Sequence, residues 1–259
     1  MAFFTFLPAV LMGFIAPLPT LNEFLFDFFA VENDFWHIFI NVTGLTVPSA
    51  ALWPVSLIVA ALTLSYTSAI IERDMHVGDF HYVQFGRSIN NNFFAYLCFI
   101  FFSVVGAEFM LFVAALFINL WVVVSNGLTG LAFVLTCVSL LLAVLLLAAI
   151  FSMIIIWPAF MIYTGTKPFS ALGNILRLKR SKWEIAAAVI LPVLVYEVII
   201  IVFTLFKITA LEKIVNIIFL TFVGVYCPVL INTVYYDVSG QEREDLKKLS
   251  LWNRRNNVM

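Results

Sequence analysis

Long apolar runs, separated by short polar stretches, dominate this chain of 259 residues. Six of them are candidate membrane spans: residues 2–18, 47–71, 93–119, 131–163, 185–206 and 214–236. A helix needs about 20 such residues to cross a hydrocarbon core about 30 Å thick. The predicted fold is therefore all-α, a polytopic transmembrane helix bundle with about six spans. The first run is short and interrupted by Pro8 and Gly13, so a tilted, re-entrant or interfacial segment is expected there. It has no basic start, and Pro17 and Pro19 stand where a signal peptide would carry its small-residue cleavage site, so it reads as retained. The fourth run is long, and Pro158 is expected to bend its last turns. Pro192 and Pro228 interrupt the fifth and sixth, which membrane helices tolerate when neighbouring groups satisfy the freed carbonyls.

The connections differ in charge. Of fourteen lysines and arginines, twelve fall in three stretches: Arg73 to Arg87, Lys167 to Lys182 and Arg243 to Arg255. Cationic loops stay on the cytoplasmic side, so these stretches are expected inside, with both termini cytoplasmic. The domain reading is one membrane domain over residues 1–237 and a polar cytoplasmic tail over 238–259. Composition agrees: 63% of residues are hydrophobic and 11% charged, against about 45–50% and about 25% in soluble domains. So few charges cannot cover a globular surface, and lipid must cover the rest. A net charge of −1 argues against a nucleic-acid partner.

The connection at 19–46 holds Glu23, Asp27, Glu32 and Asp34, no cation, and a series of aromatics from Phe24 to Phe39. It is expected outside, either as an interfacial helix or as a lid packed over the helix ends. Asn41-Val42-Thr43 matches a glycosylation sequon, meaningful only in a eukaryotic secretory pathway.

Two acids fall well inside apolar runs, Glu108 and Glu197. A carboxylate at membrane depth needs a partner, a wet cavity or a proton. The rise per residue puts them at similar depth, roughly 22 Å and roughly 18 Å along spans that both run outward. Ala115 and Asn119 share a helix face with Glu108, and Val193, Ile201 and Thr204 share one with Glu197. If those spans are neighbours, one proton or cation could bridge the pair, giving a substrate- or ion-binding site at Glu108, Glu197, Asn119 and Thr204. The alternative is that each carboxyl is protonated and bonded to an adjacent helix. Asn232, Ser103, Ser139 and Thr221 read as hydrogen bonds between helices. Ser103, Gly106, Ala107 and Ala114 give the third span a small-residue face for close packing.

The remaining chemistry is sparse. Cys98, Cys137 and Cys227 lie singly in apolar runs, with no CxxC pattern, and read as small buried hydrophobes. His37, His76 and His81 have poor spacing for a metal, and no histidine sits within a span to hold a haem. No GxSxG, Walker, HExxH or GxGxxG motif occurs, so no catalytic residue, metal or cofactor is assigned and an enzyme is the less favoured class.

The stretch from Pro168 to Arg180 carries a helical stripe of Phe169, Leu172, Ile175, Leu176 and Lys179, edged by Arg177, Arg180 and Lys182. Such an element lies in the inner interface against anionic headgroups, or docks a protein partner. Phe169, Leu172, Arg177, Lys179, Arg180 and Lys182 are the candidate lipid or partner contacts.

The order of parts carries a resemblance. A long span ends in Trp157-Pro158-Ala159-Phe160; Phe169-Ser170-Ala171-Leu172, the basic Arg177-Leu178-Lys179-Arg180 and Trp183 follow. The last span ends Val234-Tyr235-Tyr236-Asp237-Val238-Ser239-Gly240. Over roughly 47–240 this resembles the YciC-like bacterial membrane proteins, related to the membrane domain attached to some glycerophosphodiester phosphodiesterases. The N-terminus departs from that family, whose members carry an amphipathic cytoplasmic helix before the first span. The resemblance implies a six-helix fold in a bacterial inner membrane and supplies no activity, cofactor or catalytic residue. The expected function is a non-enzymatic membrane-embedded subunit or accessory factor of an envelope, export or transport complex. Its expected partners are the bilayer, anionic headgroups and other membrane or cytoplasmic subunits. A transporter or permease subunit working through Glu108 and Glu197 is the second expectation, and a lipid-modifying enzyme the third.

Overall fold

In hydrocarbon no water can satisfy a backbone N–H or C=O, so apolar runs of this length close their hydrogen bonds internally as helices. The computed structural model describes residues 5–6, 8–10, 28, 35–43, 47–77, 85–125, 128–177, 182–206 and 209–240, some at helix ends by backbone alone. Among these residues the chain is all-α, with no strand. The helices are α1 (Phe35–Thr43), α2 (Val47–Val77), α3 (Phe85–Val124), α4 (Thr129–Ile154), α5 (Trp157–Thr164), α6 (Pro168–Leu176), α7 (Lys182–Leu205) and α8 (Thr209–Ser239).

Five segments among the described residues are long and apolar enough to cross a bilayer: Trp53–His76, Asn92–Val124, Thr129–Thr164, Glu184–Phe203 and Leu211–Ser239. They correspond to the second through sixth spans of the sequence reading. The chain is an integral, multi-pass membrane protein. The first expected span, 2–18, falls largely outside the described residues. Its helical pieces at 5–6 and 8–10 include Thr5 and Ala9, both buried. Thr5 lies against Gly224 of α8, where an added Cβ would stand 3.3 Å from the threonine Cβ. Glycine there permits the close approach.

The spanning helices form a ring of packed neighbours: α2 on α3, α3 on α4, α4 on α7, α7 on α8 and α8 back on α2. A short helix plugs one end. Pro158 has no N–H for the carbonyl of Ile154 and its ring crowds that turn, which favours a break in the helix there. α4 stops at Ile154, Ile155 and Ile156 turn, and α5 restarts with Pro158 in its first turn. The expected bend is thus a break a few residues earlier. α5 packs on α3 and α8. It ends at Gly165, whose left-handed φ of 62° lets its amide reach the Met161 carbonyl at 3.0 Å. Lys167 is extended, as the residue before a proline prefers, and α6 begins at Pro168.

Two apolar clusters fill the ring's ends. At the α5 end, Tyr96, Ile156, Trp157, Ile175, Ile231 and Tyr236 are buried together. At the other end, Phe28, Ile38, Val42, Ala115, Ile118 and Ala132 pack around the α3–α4 turn. Of the aromatic connection 19–46, α1 and Phe28 are described. α1 packs on α3 through Ile38 and Val42, as the lid expectation has it, and leaves Trp36 and Ile40 exposed. Large side chains such as Leu141, Leu142, Leu191 and Val198 also stand exposed in rows. Water would not tolerate so much contiguous apolar surface; lipid requires it.

Candidate functional site

The best-connected polar group in the bundle lies where α2, α3, α5 and α8 meet. Ser68 on α2 is fully buried and accepts from the Tyr96 hydroxyl of α3 at 2.7 Å and from Asn232 Nδ2 of α8 at 3.0 Å. Asn232 Nδ2 also donates to the Pro228 carbonyl one turn earlier, at 2.8 Å. The Tyr163 hydroxyl of α5 donates to Asn232 Oδ1 at 3.4 Å, and the Glu72 carboxylate of α2 also lies within its reach. Tyr163 stacks on Tyr235 with ring centroids 4.4 Å apart and meets Tyr236 edge-on. His76, one turn beyond Glu72, adds a nearby ring nitrogen. The group is therefore a hydrogen-bonded chain through four helices. Ser68 is no activated nucleophile, because a phenol and an amide surround its hydroxyl and neither accepts its proton at neutral pH.

Several other polar groups of the spans brace one helix against the next. Trp121 Nε1 donates to Ser139 Oγ at 2.9 Å, joining α3 to α4 as expected for Ser139. Tyr196 donates to Asn216 Oδ1 at 3.3 Å and stacks on Phe219, joining α7 to α8. The Tyr226 hydroxyl of α8 donates to the Ala188 carbonyl of α7 at 2.9 Å. Pro192, four residues after Ala188, cannot supply that bond, so a tyrosine from the next helix replaces it. Thr221 bonds back to Ile217 in its own helix rather than across helices.

Glu108 is different. It is half-buried on α3, and its Oε2 is buried with no hydrogen-bond partner among the described residues. Ser103 Oγ on the same helix and Thr136 Oγ1 on α4 share that condition. Ala115, on the Glu108 face, is buried in the cluster around the α3–α4 turn, and Asn119 is half-buried. Glu197 is half-buried on α7, beside Tyr196, which Glu212 also flanks. The side chain of Thr204 lies outside the described residues. α3 and α7 do not form one of the packed pairs among the described residues; each packs on α4, which stands between them. The packed pairs among the described residues therefore give no support to the shared proton or cation that depended on neighbouring spans.

α6 is the other candidate surface. Ala171 and Ile175 are buried and Leu172 half-buried, at helical spacing, against α4 and α5. Trp157 Nε1 donates to the Pro168 carbonyl at 2.9 Å and pins the helix start. Phe169 packs edge-on against Phe102 of α3 yet stays 73% exposed, and Leu176 is 54% exposed. The expected stripe is thus split: Leu172 and Ile175 face the bundle, while Phe169 and Leu176 face outward. Lys167 and Arg177 at the helix ends are exposed. Lys179 and Arg180 lie outside the described residues, as does the side chain of Lys182, which opens α7.

Sequence reasoning placed Asn232 as a helix-to-helix bond and missed Ser68, Glu72, Tyr96 and Tyr163. Glu72 stands at the end of its run beside Arg73 and Asp74 and looks like loop chemistry. A Ser-x-x-x-Glu spacing, one helical turn, was the signal available. Among the described residues no group of three or more His, Cys, Asp and Glu is placed to hold a metal. Compared with known proteins, the chain matches no family model, no curated protein and no solved structure.

Proposed function

We propose that this protein is a non-enzymatic, membrane-embedded accessory subunit of an envelope, export or transport complex, in a bacterial inner membrane with both termini in the cytoplasm. It meets a partner subunit or anionic headgroups through α6 and the cations around it. The supporting observation is the pinned α6, with Phe169 and Leu176 exposed between Lys167 and Arg177. Large apolar groups edged by cations, held rigid, suit an interface and lower its ordering cost. The cationic clustering supports the cytoplasmic placement, and the YciC-like motif order agrees with both. A mild-detergent pull-down with protein and lipid mass spectrometry tests it. Wild type should retain a partner at fixed stoichiometry or an anionic phospholipid. Phe169→Ser and Leu176→Ser together should lose it while the protein stays monodisperse. Retention by that variant, or nothing retained by wild type, contradicts the reading.

A second reading, a transporter or permease subunit, is favoured by the Oε2 of Glu108. A half-buried carboxyl with one unbonded oxygen is a site where a proton or cation can bind. Loss of a pH-dependent flux in Glu108→Gln vesicles supports it; an unchanged flux removes it.

A further inference from the structure

We propose that the bundle holds one acyl chain of a membrane lipid in a cavity between α3, α4, α7 and α8. The cavity encloses about 380 Å³, within the roughly 300–1,000 Å³ typical of small-molecule sites. Its wall is apolar throughout, from Val144 and Phe151 on α4 and Val193 on α7 to Val223 and Leu230 on α8, with Phe99 of α3 behind them. Tyr226 contributes its ring, because its hydroxyl is spent on the Ala188 carbonyl. Such a space offers water no hydrogen bond and accepts an apolar guest instead.

The architecture explains why the space exists. α4 and α8 both pack on α7 but are not themselves one of the packed pairs among the described residues. Tyr226 sets the distance between α7 and α8 at the Pro192 turn, so the ring cannot close over the gap. From α4 into the turn after it the lining runs from Val144 to Ile155, and on α8 from Phe219 to Leu230. At 1.5 Å per residue each wall is roughly 16 Å long, about half of a hydrocarbon core near 30 Å. That is the depth of one leaflet and of the chains within it. Val193 lines the cavity and is itself exposed, so the cavity opens onto the lipid-facing surface. A chain can therefore enter sideways from the surrounding leaflet. The occupant follows from that continuity, and a partner's helix becomes an outcome of the test.

The experiment reconstitutes the full chain in vesicles of phosphatidylethanolamine and phosphatidylglycerol containing a phospholipid with a mid-chain diazirine. After irradiation, adducts are mapped by peptide mass spectrometry. The expected result is adducts concentrated on the lining, at Val144, Phe151 and Val223, above those at the lipid-facing Leu142 and Val198. Filling the cavity from one wall with Ala148→Phe, or from the other with Val193→Trp, should abolish the lining adducts and leave those at Leu142 and Val198 unchanged. Lining adducts no denser than lipid-facing ones in wild type overturn the proposal, as does their persistence in both filled variants. A co-purifying protein that cross-links to the lining in place of lipid also overturns it. The wild-type map decides the matter even if a filled variant misfolds, and it is independent of any loss at Phe169.

Discussion

The knot around Asn232 and the carboxyl of Glu108 are both polar chemistry inside apolar spans, yet they are treated in opposite ways. In the first, four helices converge and Ser68, Tyr96, Tyr163 and Asn232 each find a partner. In the second, one acid reaches inward and Oε2 finds none among the described residues. A membrane interior makes an unmade bond expensive and adds only modest net stability for a made one. The knot therefore reads as construction: it fixes how α2, α3, α5 and α8 sit together. Glu108 costs stability without an evident structural return, which is the usual mark of a group kept for binding.

The comparison makes graded predictions. Asn232→Leu removes the hub with its bonds to Ser68, Tyr163 and the Pro228 carbonyl, so the largest loss is expected there, about 2 kcal/mol, read as a lowered melting temperature in detergent. Tyr226→Phe strands the Ala188 carbonyl and should cost about 1 kcal/mol. Pro192→Ala restores the backbone donor, so the double variant should recover most of that loss; a strictly additive cycle would contradict the repair. Trp157→Phe strands the Pro168 carbonyl and thins the buried cluster, so melting should fall by about as much as in Tyr226→Phe, with faster hydrogen exchange in α6, whose start it pins; unchanged exchange would show that Ala171 and Ile175 suffice. Glu108→Gln should leave the melting temperature nearly unchanged, since Oε2 has no bond to lose. A drop comparable to that of Asn232→Leu would place Glu108 among the structural groups.

Much of the architecture was legible in the chain. Run length and charge placement identify the spans, because lipid imposes a minimum length and a penalty on charge that hardly depend on tertiary detail. Pro158 announced a disturbance in the long fourth span, though not that the break would leave α5 free to plug the ring. The knot was less legible. Asn232 stood out as polar among apolar neighbours, whereas Ser68 and Tyr96 are common in spans and gain meaning only when helices are juxtaposed. Glu72 was obscured by its charged neighbours. Whether Glu108 pairs with Glu197 was not legible, because depth is readable from sequence but the order of helices around a ring is not. The stripe on α6 was half right for a related reason: periodicity marks an apolar face without saying which part of it meets the bundle.

A cytoplasmic docking surface on α6 requires that α6 and the α3–α4 turn lie on opposite faces of the bilayer. Single cysteines at Phe169 and at Leu128, in a background with Cys98, Cys137 and Cys227 replaced by alanine, can be labelled with a membrane-impermeant maleimide. Intact cells should label Leu128→Cys alone, and Phe169→Cys should react only after the membrane is opened. Labelling of both positions from the same side would contradict the crossing of α4 and, with it, the cytoplasmic docking surface.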